Sequence, residues 1–485
     1  MIKQEYRALL LLLSCSLCVT AQPLPDSALL SHPKYSQWAY ALADVKTGEV
    51  ISEHEGHRFL VPASVVKLLT TAFAIDKLGV DRNFPTILYH TGKIENGVLH
   101  GDLWIHGGGN PVLGSDRVDS SQRSDAVFGL FTQGLKKAGI REVAGIVVGD
   151  GSLLEPEGPP VGAMWEDVGN YYAAVPSGLC FHDNSYTLML TAGITTPIAV
   201  QGTDPRHVGV YSFQIAAQNS GPEHGDSCFI FGAFWNTPRL VAGKCPVGNE
   251  LLKIRGSIPD PAWTCARNFE DYLRLHGIPV NGKNIGRSED PLPSKKPIPG
   301  DTVRLAVHAS PDILNLISIV HNRSDNLYST ELLTLAGLAS GAPGNSMGGV
   351  QALERWLAVL KNSGLASEIQ LVDGNGLSMQ NRVTTIAMTQ ALSAFSSAPW
   401  FPAWRETMSG GNGHHYKYTL YAEGLHGKLW GKTGSMTGVS ALSGYIKARS
   451  GRLLAFTVIV NHFDGPVAEV RDYWGPLLRA WQTRY

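Results

Sequence analysis

The sequence has no surplus of charge of either sign. Its 40 lysines and arginines face 41 aspartates and glutamates, for a formal net charge of -1 over 485 residues. No long basic run breaks that balance, which excludes an electrostatic footprint for nucleic acid and a polybasic patch for a membrane surface. Internal repeats and low-complexity tracts are also missing, so solenoid and fibrous architectures are set aside. Beyond the N-terminal segment, no apolar run approaches the roughly 20 residues that a spanning helix needs. At about 150 residues per domain, a chain of this length holds two or three domains.

The N-terminus has the make-up of a signal peptide over residues 1–21. Lys3 and Arg7 form the charged side, Ala8 to Val19 a short apolar run, and Val19-Thr20-Ala21 a small-residue cleavage site before Gln22. The expectation is export to the periplasm or the cell exterior, with no transmembrane anchor after cleavage. Lipidation at Cys15, within Leu12-Leu13-Ser14-Cys15, is the alternative. Cleavage removes Cys15 and Cys18 and leaves Cys180, Cys228, Cys245 and Cys265. An even number of cysteines in an oxidising compartment fits one or two disulfides, and all three pairings stay open, with Cys228 and Cys245 nearest in sequence. These four include no Cys-x-x-Cys pair and no histidine at ligand spacing, so neither a metal nor a cofactor is expected.

The two ends of the chain share one texture and the middle has another. Alternation around Trp38, Tyr40 and Leu42, a turn at Lys46-Thr47-Gly48 and a return at Val50-Ile51 predict a β-hairpin. After Pro62, the apolar run from Val65 to Leu78 predicts a buried helix stopped by Gly79. Lys428–Lys447 and Arg452–Asn461 read as two strands, the stretch from Ser324 to Trp400 as mostly helical, and Val467–Trp481 as helix. From about Asn83 to Pro299, glycine, proline and short β-like runs dominate. A hairpin is signalled where Lys93-Ile94 and Val98-Leu99 flank Glu95-Asn96-Gly97, and Ser288–Pro299 reads as a linker. The fold class expected is α+β: an antiparallel sheet flanked by helices, with β-rich domains inserted.

Three motifs straddle that middle: Ser64-Val65-Val66-Lys67, Ser324-Asp325-Asn326 and Lys432-Thr433-Gly434. A serine hydroxyl is a weak nucleophile at neutral pH and needs a base. Lys67, one helical turn beyond Ser64 and on the same face, serves if burial and the nearby Lys432 lower its pKa. Ser324 relays a proton to the leaving amine, and Asn326 holds Lys67 and a substrate amide. Lys432 and Thr433 take a terminal carboxylate, Gly434 lets a substrate backbone lie along the strand, and the N–H groups of Ser64 and Ser435 form an oxyanion hole. Two decoys occur. Ser31-His32-Pro33-Lys34 has a proline that opposes a helix, and Lys46-Thr47-Gly48 is a polar turn. Ser324-Asp325-Asn326 taken alone reads as a helix cap, and its place between the other two motifs carries the catalytic reading.

These motifs in this order, with more than two hundred residues between the first and second, resemble the penicillin-binding protein 4 type of D-alanyl-D-alanine carboxypeptidase/endopeptidase, peptidase family S13. Trp104-Ile105-His106-Gly107-Gly108-Gly109-Asn110-Pro111 resembles the family's Gly-Gly-Gly-Asp-Pro segment, with Asn110 in place of Asp. Trp165-Glu166-Asp167 with Tyr171-Tyr172-Ala173 resembles its aromatic-acidic segment, and Asp373-Gly374-Asn375-Gly376-Leu377-Ser378 its Asp-Gly-Ser-Gly-Leu-Ser stretch, followed by Met379 where the family has Arg. The resemblance implies a β-lactamase/transpeptidase-like catalytic domain from 22–82 and 300–485, an inserted domain from 83–185 and 266–299, and a second insert, 186–265, nested within it. It implies hydrolysis of D-Ala-D-Ala in peptidoglycan stem peptides and of their cross-links, with β-lactams acylating Ser64. Glu166 and Asp167 would read an ammonium on the donor side chain, beside the apolar wall of Met436. A β-lactamase or esterase on the same scaffold, or a non-catalytic cell-wall binding protein, are the rival readings.

Overall fold

The computed structural model describes residues 36–485 apart from 159–160, 194–195, 211, 222–226, 234–237, 249–250, 283–299, 361–366, 411–423 and 473. The expected signal segment with Cys15, the tetrad Ser31-His32-Pro33-Lys34 and the whole of the proline-rich linker Ser288–Pro299 lie outside the described residues.

One antiparallel sheet joins the two ends of the chain. Its strand order is Leu429–Met436, Val439–Lys447, Leu453–Asn461, Gln37–Asp44, Val50–His54. The expected N-terminal hairpin is present, and Asp44 closes its turn by accepting the amides of Lys46 and Thr47 at 2.8 and 3.0 Å. The single strand expected over Lys428–Lys447 is two strands. Thr437-Gly438 reverses the chain between Met436 and Val439, with Gly438 at φ 69, a turn signal masked by the turn-type residues Gly431, Gly434 and Ser435 inside the preceding strand. The inner strands are buried on both faces. One face meets Trp474 and Trp481 of the C-terminal helix, and the other meets the helical layer around Phe73, Leu332 and Phe395.

That helical layer positions the site. A 3-10 turn over Ala63–Val66 leads into the helix Lys67–Leu78, in which every residue from Lys67 to Ile75 is buried, and Gly79 at φ 86 ends it as expected. Helices Ile313–Arg323 and Asn326–Ala339 meet at Ser324, whose φ of 58 lets the chain turn between them, and Asp325 caps the second by accepting the Tyr328 amide at 2.9 Å.

The middle of the chain builds separate cores. Strands Val303–Ala309, Pro85–His90, Leu103–Gly107 and Val147–Asp150 lie side by side in that order, against the helices Ser124–Lys137 and Pro261–Leu275, around Phe128, Phe131 and Phe269. The strand Val303–Ala309, beyond the sequence boundary at 300, thus pairs with Pro85–His90. Two helices therefore stand where short β-like runs were expected. The second carries a clear signal, Asp260 as N-cap and Pro261 in the first turn before Ala262, Cys265, Ala266, Phe269 and Leu273 at helical spacing. The hairpin Lys93–Glu95 and Val98–His100 forms as expected, with Asn96 and Gly97 at φ 51 and 86. The described strands between Ser185 and Ser257 form two small sheets around Tyr186, Ile230, Val241 and Ile254. In this core the sulfurs of Cys228 and Cys245 lie 2.6 Å apart, whereas Cys180 and Cys265 are buried thiols elsewhere. No helix among the described residues is long and apolar enough to cross a membrane.

Candidate active site

Folding brings the three motifs to one cavity of about 300 Å³, walled by Ser64, Ser324, Asn326, Lys432 and Thr433 among others. The Lys67 ammonium, fully buried, donates to Ser64 Oγ at 2.8 Å, to Asn326 Oδ1 at 2.7 Å and to the backbone carbonyl of Asn375. Lys432 Nζ donates to Ser324 Oγ at 2.9 Å and to the Thr433 carbonyl at 2.6 Å. Each lysine thus holds one serine hydroxyl. Asn326 links the first pair to the middle of the chain, since its Nδ2 donates to the Tyr172 carbonyl at 2.8 Å.

Burial lowers the Lys67 pKa to about 7, against the opposing pull of the Asp373 and Asp325 carboxylates. The sequence reading credited Lys432 with part of this shift. Burial is the dominant cause, and the charges that act on Lys67 raise its pKa. Asp373 is itself spent on its own loop. It accepts the amides of Asn375, Gly376 and Ser378 at 3.1, 2.7 and 2.7 Å and the Asn381 side chain at 2.8 Å, so the Asn375 carbonyl is aimed at Lys67 by a fixed turn.

Two glycines make room for Ser64. A Cβ on Gly376, which sits at φ 80, would lie 2.0 Å from the Ala63 carbonyl oxygen, and a Cβ on Gly434 would lie 2.8 Å from the Ser64 amide nitrogen. The Lys432 strand therefore packs directly on the turn that carries Ser64, and Gly434 is required there whatever lies along the strand. Ala63 adopts φ 48 in that turn, a conformation that costs energy for a residue with a side chain.

The remaining expected residues divide. Thr433, Ser435 and Met436 line the cavity, with Arg471 from the C-terminal region reaching to 3.4 Å from Ser435 Oγ. Glu166 and Asp167 stand outside the cavity wall. Glu166 is exposed, and Asp167 is half-buried and hydrogen-bonded to the Tyr172 side chain, its pKa raised by burial. Sequence reasoning missed Arg471, the carbonyls of Asn375 and Tyr172, and His321, a cavity residue bonded to Thr71 at 2.9 Å and Thr407 at 2.8 Å. The aromatic-acidic segment and the Asp373–Ser378 stretch had been noticed, but as likeness alone.

A model of the D-Ala-D-Ala carboxypeptidase 3 (S13) family matches residues 26–473. The chain belongs to this family. It is accordingly a serine-type D-Ala-D-Ala carboxypeptidase, a hydrolase. Among S13 relatives, the D-alanyl-D-alanine carboxypeptidase of Actinomadura sp. (strain R39) is 28% identical, over 88% of this chain and 78% of the relative. D-alanyl-D-alanine carboxypeptidase DacB of Haemophilus influenzae is 24% identical, over 93% of this chain and 91% of the relative. The crystal structure of penicillin binding protein 4 (dacB) from Haemophilus influenzae superposes with a TM-score of 0.77 at 22% identity, covering 94% of this chain and 99% of that one. A complex of that protein with a β-lactam gives a TM-score of 0.73 at 21% identity, over 95% and 100% of the two chains. The S13 fold is thus α+β, a transpeptidase-like core with additional domains.

Proposed function

We propose that the chain hydrolyses the terminal D-Ala-D-Ala bond of peptidoglycan stem peptides through an acyl-enzyme on Ser64, and that β-lactams acylate the same oxygen. The observation that carries this is the buried Lys67 ammonium, held 2.8 Å from Ser64 Oγ with its pKa lowered to about 7. Neutral Lys67 takes the Ser64 proton as Oγ attacks the carbonyl carbon, with the N–H groups of Ser64 and Ser435 receiving the oxyanion. The C–N bond then breaks, and the leaving D-Ala amine takes a proton through Ser324, which Lys432 holds at 2.9 Å. Water attacks the ester, the peptide carboxylate departs and Ser64 is restored. The second N–H of Asn326 Nδ2 is the donor for a substrate amide carbonyl. Thr433, Ser435 and the Arg471 guanidinium offer two hydroxyls and a cation to the terminal carboxylate.

The same reading includes cleavage of the D-Ala cross-link to a diamino acid. Its ammonium would meet Glu166 and Asp167 beside Tyr172, with Met436 as the apolar wall. Export, with activity in the periplasm or at the cell exterior, follows from the substrate and from the charge and hydropathy pattern of residues 1–21. The catalytic unit is read as the two ends of the chain and the β-rich units as its insert, a division supported by the two cores around Phe128 and Tyr186 that the middle builds beside the one it shares with the ends.

Incubation with fluorescent penicillin tests the reading. One covalent label per chain is expected, mapped to the Ser64 peptide, together with release of D-Ala from a pentapeptide. Ser64→Ala abolishes both, and label that persists in that variant assigns the nucleophile elsewhere.

A further inference from the structure

Asp325, the middle residue of the second motif, points away from the cavity into a buried cluster of charges. Its Oδ1 caps the helix that begins at Asn326, and its other oxygen pairs with Arg117 Nη1. Arg117 comes from the inserted region. Its Nε meets Asp183 Oδ2 at 3.0 Å, and its guanidinium lies 6.0 Å from the Tyr328 ring centre. Tyr328 OH donates to Asp183 Oδ1 at 2.5 Å. The Arg117, Asp183 and Asp325 side chains are only 12%, 9% and 10% exposed.

The backbone is held in unusual conformations on both sides of this cluster. His182, Asp183 and Asn184 have φ of 55, 56 and 45, and Ser324 has φ 58. Left-handed conformations at residues with side chains cost energy and persist only where the surroundings enforce them. The guanidinium that joins Asp183 to Asp325 ties the two strained segments together.

We propose that Arg117 is a positioning residue for acyl transfer: by pairing with Asp325 it fixes the turn that carries Ser324 and Asn326 and opposes a carboxylate charge directed at Lys67. The proposal rests on the reading of Lys67 as the base. Two carboxylates face Lys67, Asp325 from the Asn326 helix and Asp373 from the loop that ends at Ser378, and both favour its protonated form. Lys432 stands across Ser324 on the neighbouring strand. Asp325 in turn is faced by Arg117, Asp183, Arg255, Tyr328 and Lys67. Arg117 and Arg255 balance Asp183 and Asp325 in charge. Burial pushes the Asp325 carboxyl up and Arg117 is the leading charge that holds it down, so without Arg117 the ionised Asp325 leans on the Lys67 ammonium, which then keeps its proton to higher pH.

Acylation rates with a fluorescent penicillin, measured against pH, test this on the full chain. The variants are Arg117→Met, Arg117→Lys, Asp325→Asn and the double Arg117→Met/Asp325→Asn, each checked for a cooperative melt. Arg117→Met is expected to move the acid limb up by about one pH unit, a loss of roughly tenfold at a pH below the limb. Arg117→Lys should recover part of that shift, and the double variant should return the limb to its wild-type position. A folded Arg117→Met variant with an unmoved limb overturns the proposal, and so does a double variant as shifted as the single. A wild-type profile with no acid limb near neutrality sinks the assignment of Lys67 instead, which separates the two failures.

Discussion

Lys67 carries the heaviest demand of any residue in the site, because a lysine is a base only when it is neutral. Its pKa of about 7 sets the direction of the pH dependence. As pH falls below that value, Lys67 gains a proton, Ser64 loses its acceptor, and acylation is expected to slow about tenfold per pH unit. Lys67→Arg keeps the cation and removes the base, and should lower the acylation rate by roughly 10²–10⁴ while Ser64 remains in place; stopped-flow acylation by a chromogenic cephalosporin reads both effects. The linkage to stability has a definite sign. The folded value lies below the ordinary lysine value of 10.5, so between about 7 and 10.5 the unfolded chain binds the extra proton and stability rises with pH. Urea melts across this window should rise less steeply for Lys67→Met than for the wild type.

At the scale of elements, Ser64, the proposed nucleophile, sits on a turn wedged between a strand and a loop. Gly434→Ala places a Cβ 2.8 Å from the Ser64 nitrogen and 2.9 Å from the Pro62 oxygen, both backbone atoms with little room to move. The expected cost is about 1–3 kcal/mol in thermal or urea unfolding, with a larger proportional loss of acylation because the displaced atoms belong to the nucleophile's own turn. Wild-type acylation in that variant would show that strand and turn can part without consequence. This packing also marks how far the sequence could be read. Ser64 and Lys67, Ser324 and Asn326, and Lys432 were legible because each motif carries its chemistry in side chains at short spacing, and the helix that begins at Lys67 has a strong apolar pattern. The carbonyls of Asn375 and Tyr172 were not, since every residue carries a backbone acceptor and only the fold selects two of them. Arg117 was equally hidden. Its partner Asp325 lies 208 residues away, and nothing local distinguishes it from other arginines. The turn at Thr437-Gly438 was lost among Gly431, Gly434 and Ser435, turn-type residues that here lie inside a strand, whereas the helix after Asp260 was misread in spite of a cap and a proline because glycine and proline dominate the surrounding texture.

At the scale of the whole molecule, the middle of the chain shares a core with its two ends. Val112, Leu154 and Cys180 pack in the same cluster as Phe73 and Leu332. Glu331 sits at this junction, on the helix that begins with Asn326. It is fully buried, accepts the Ser177 amide at 3.1 Å and the Cys180 thiol at 3.4 Å, and burial raises its pKa to about 8. The carboxyl is therefore neutral at pH 7, and the stability it lends is complete below its ordinary value of 4.5 and is lost as pH rises through about 8. Glu331→Gln keeps the size and the acceptor and removes the ionisation. The substituted chain should match the wild type near pH 5 and exceed it in melting temperature above pH 8, where the wild type must either bury a charge or open the contact between insert and helix. Because the helix start carries Asn326 and the Ser177 turn leads to Cys180, opening that contact should also loosen the hold on Lys67. Acylation at pH 9 is then expected to fall in the wild type before it falls in Glu331→Gln, and identical alkaline profiles in the two proteins would show that the junction and the site are uncoupled.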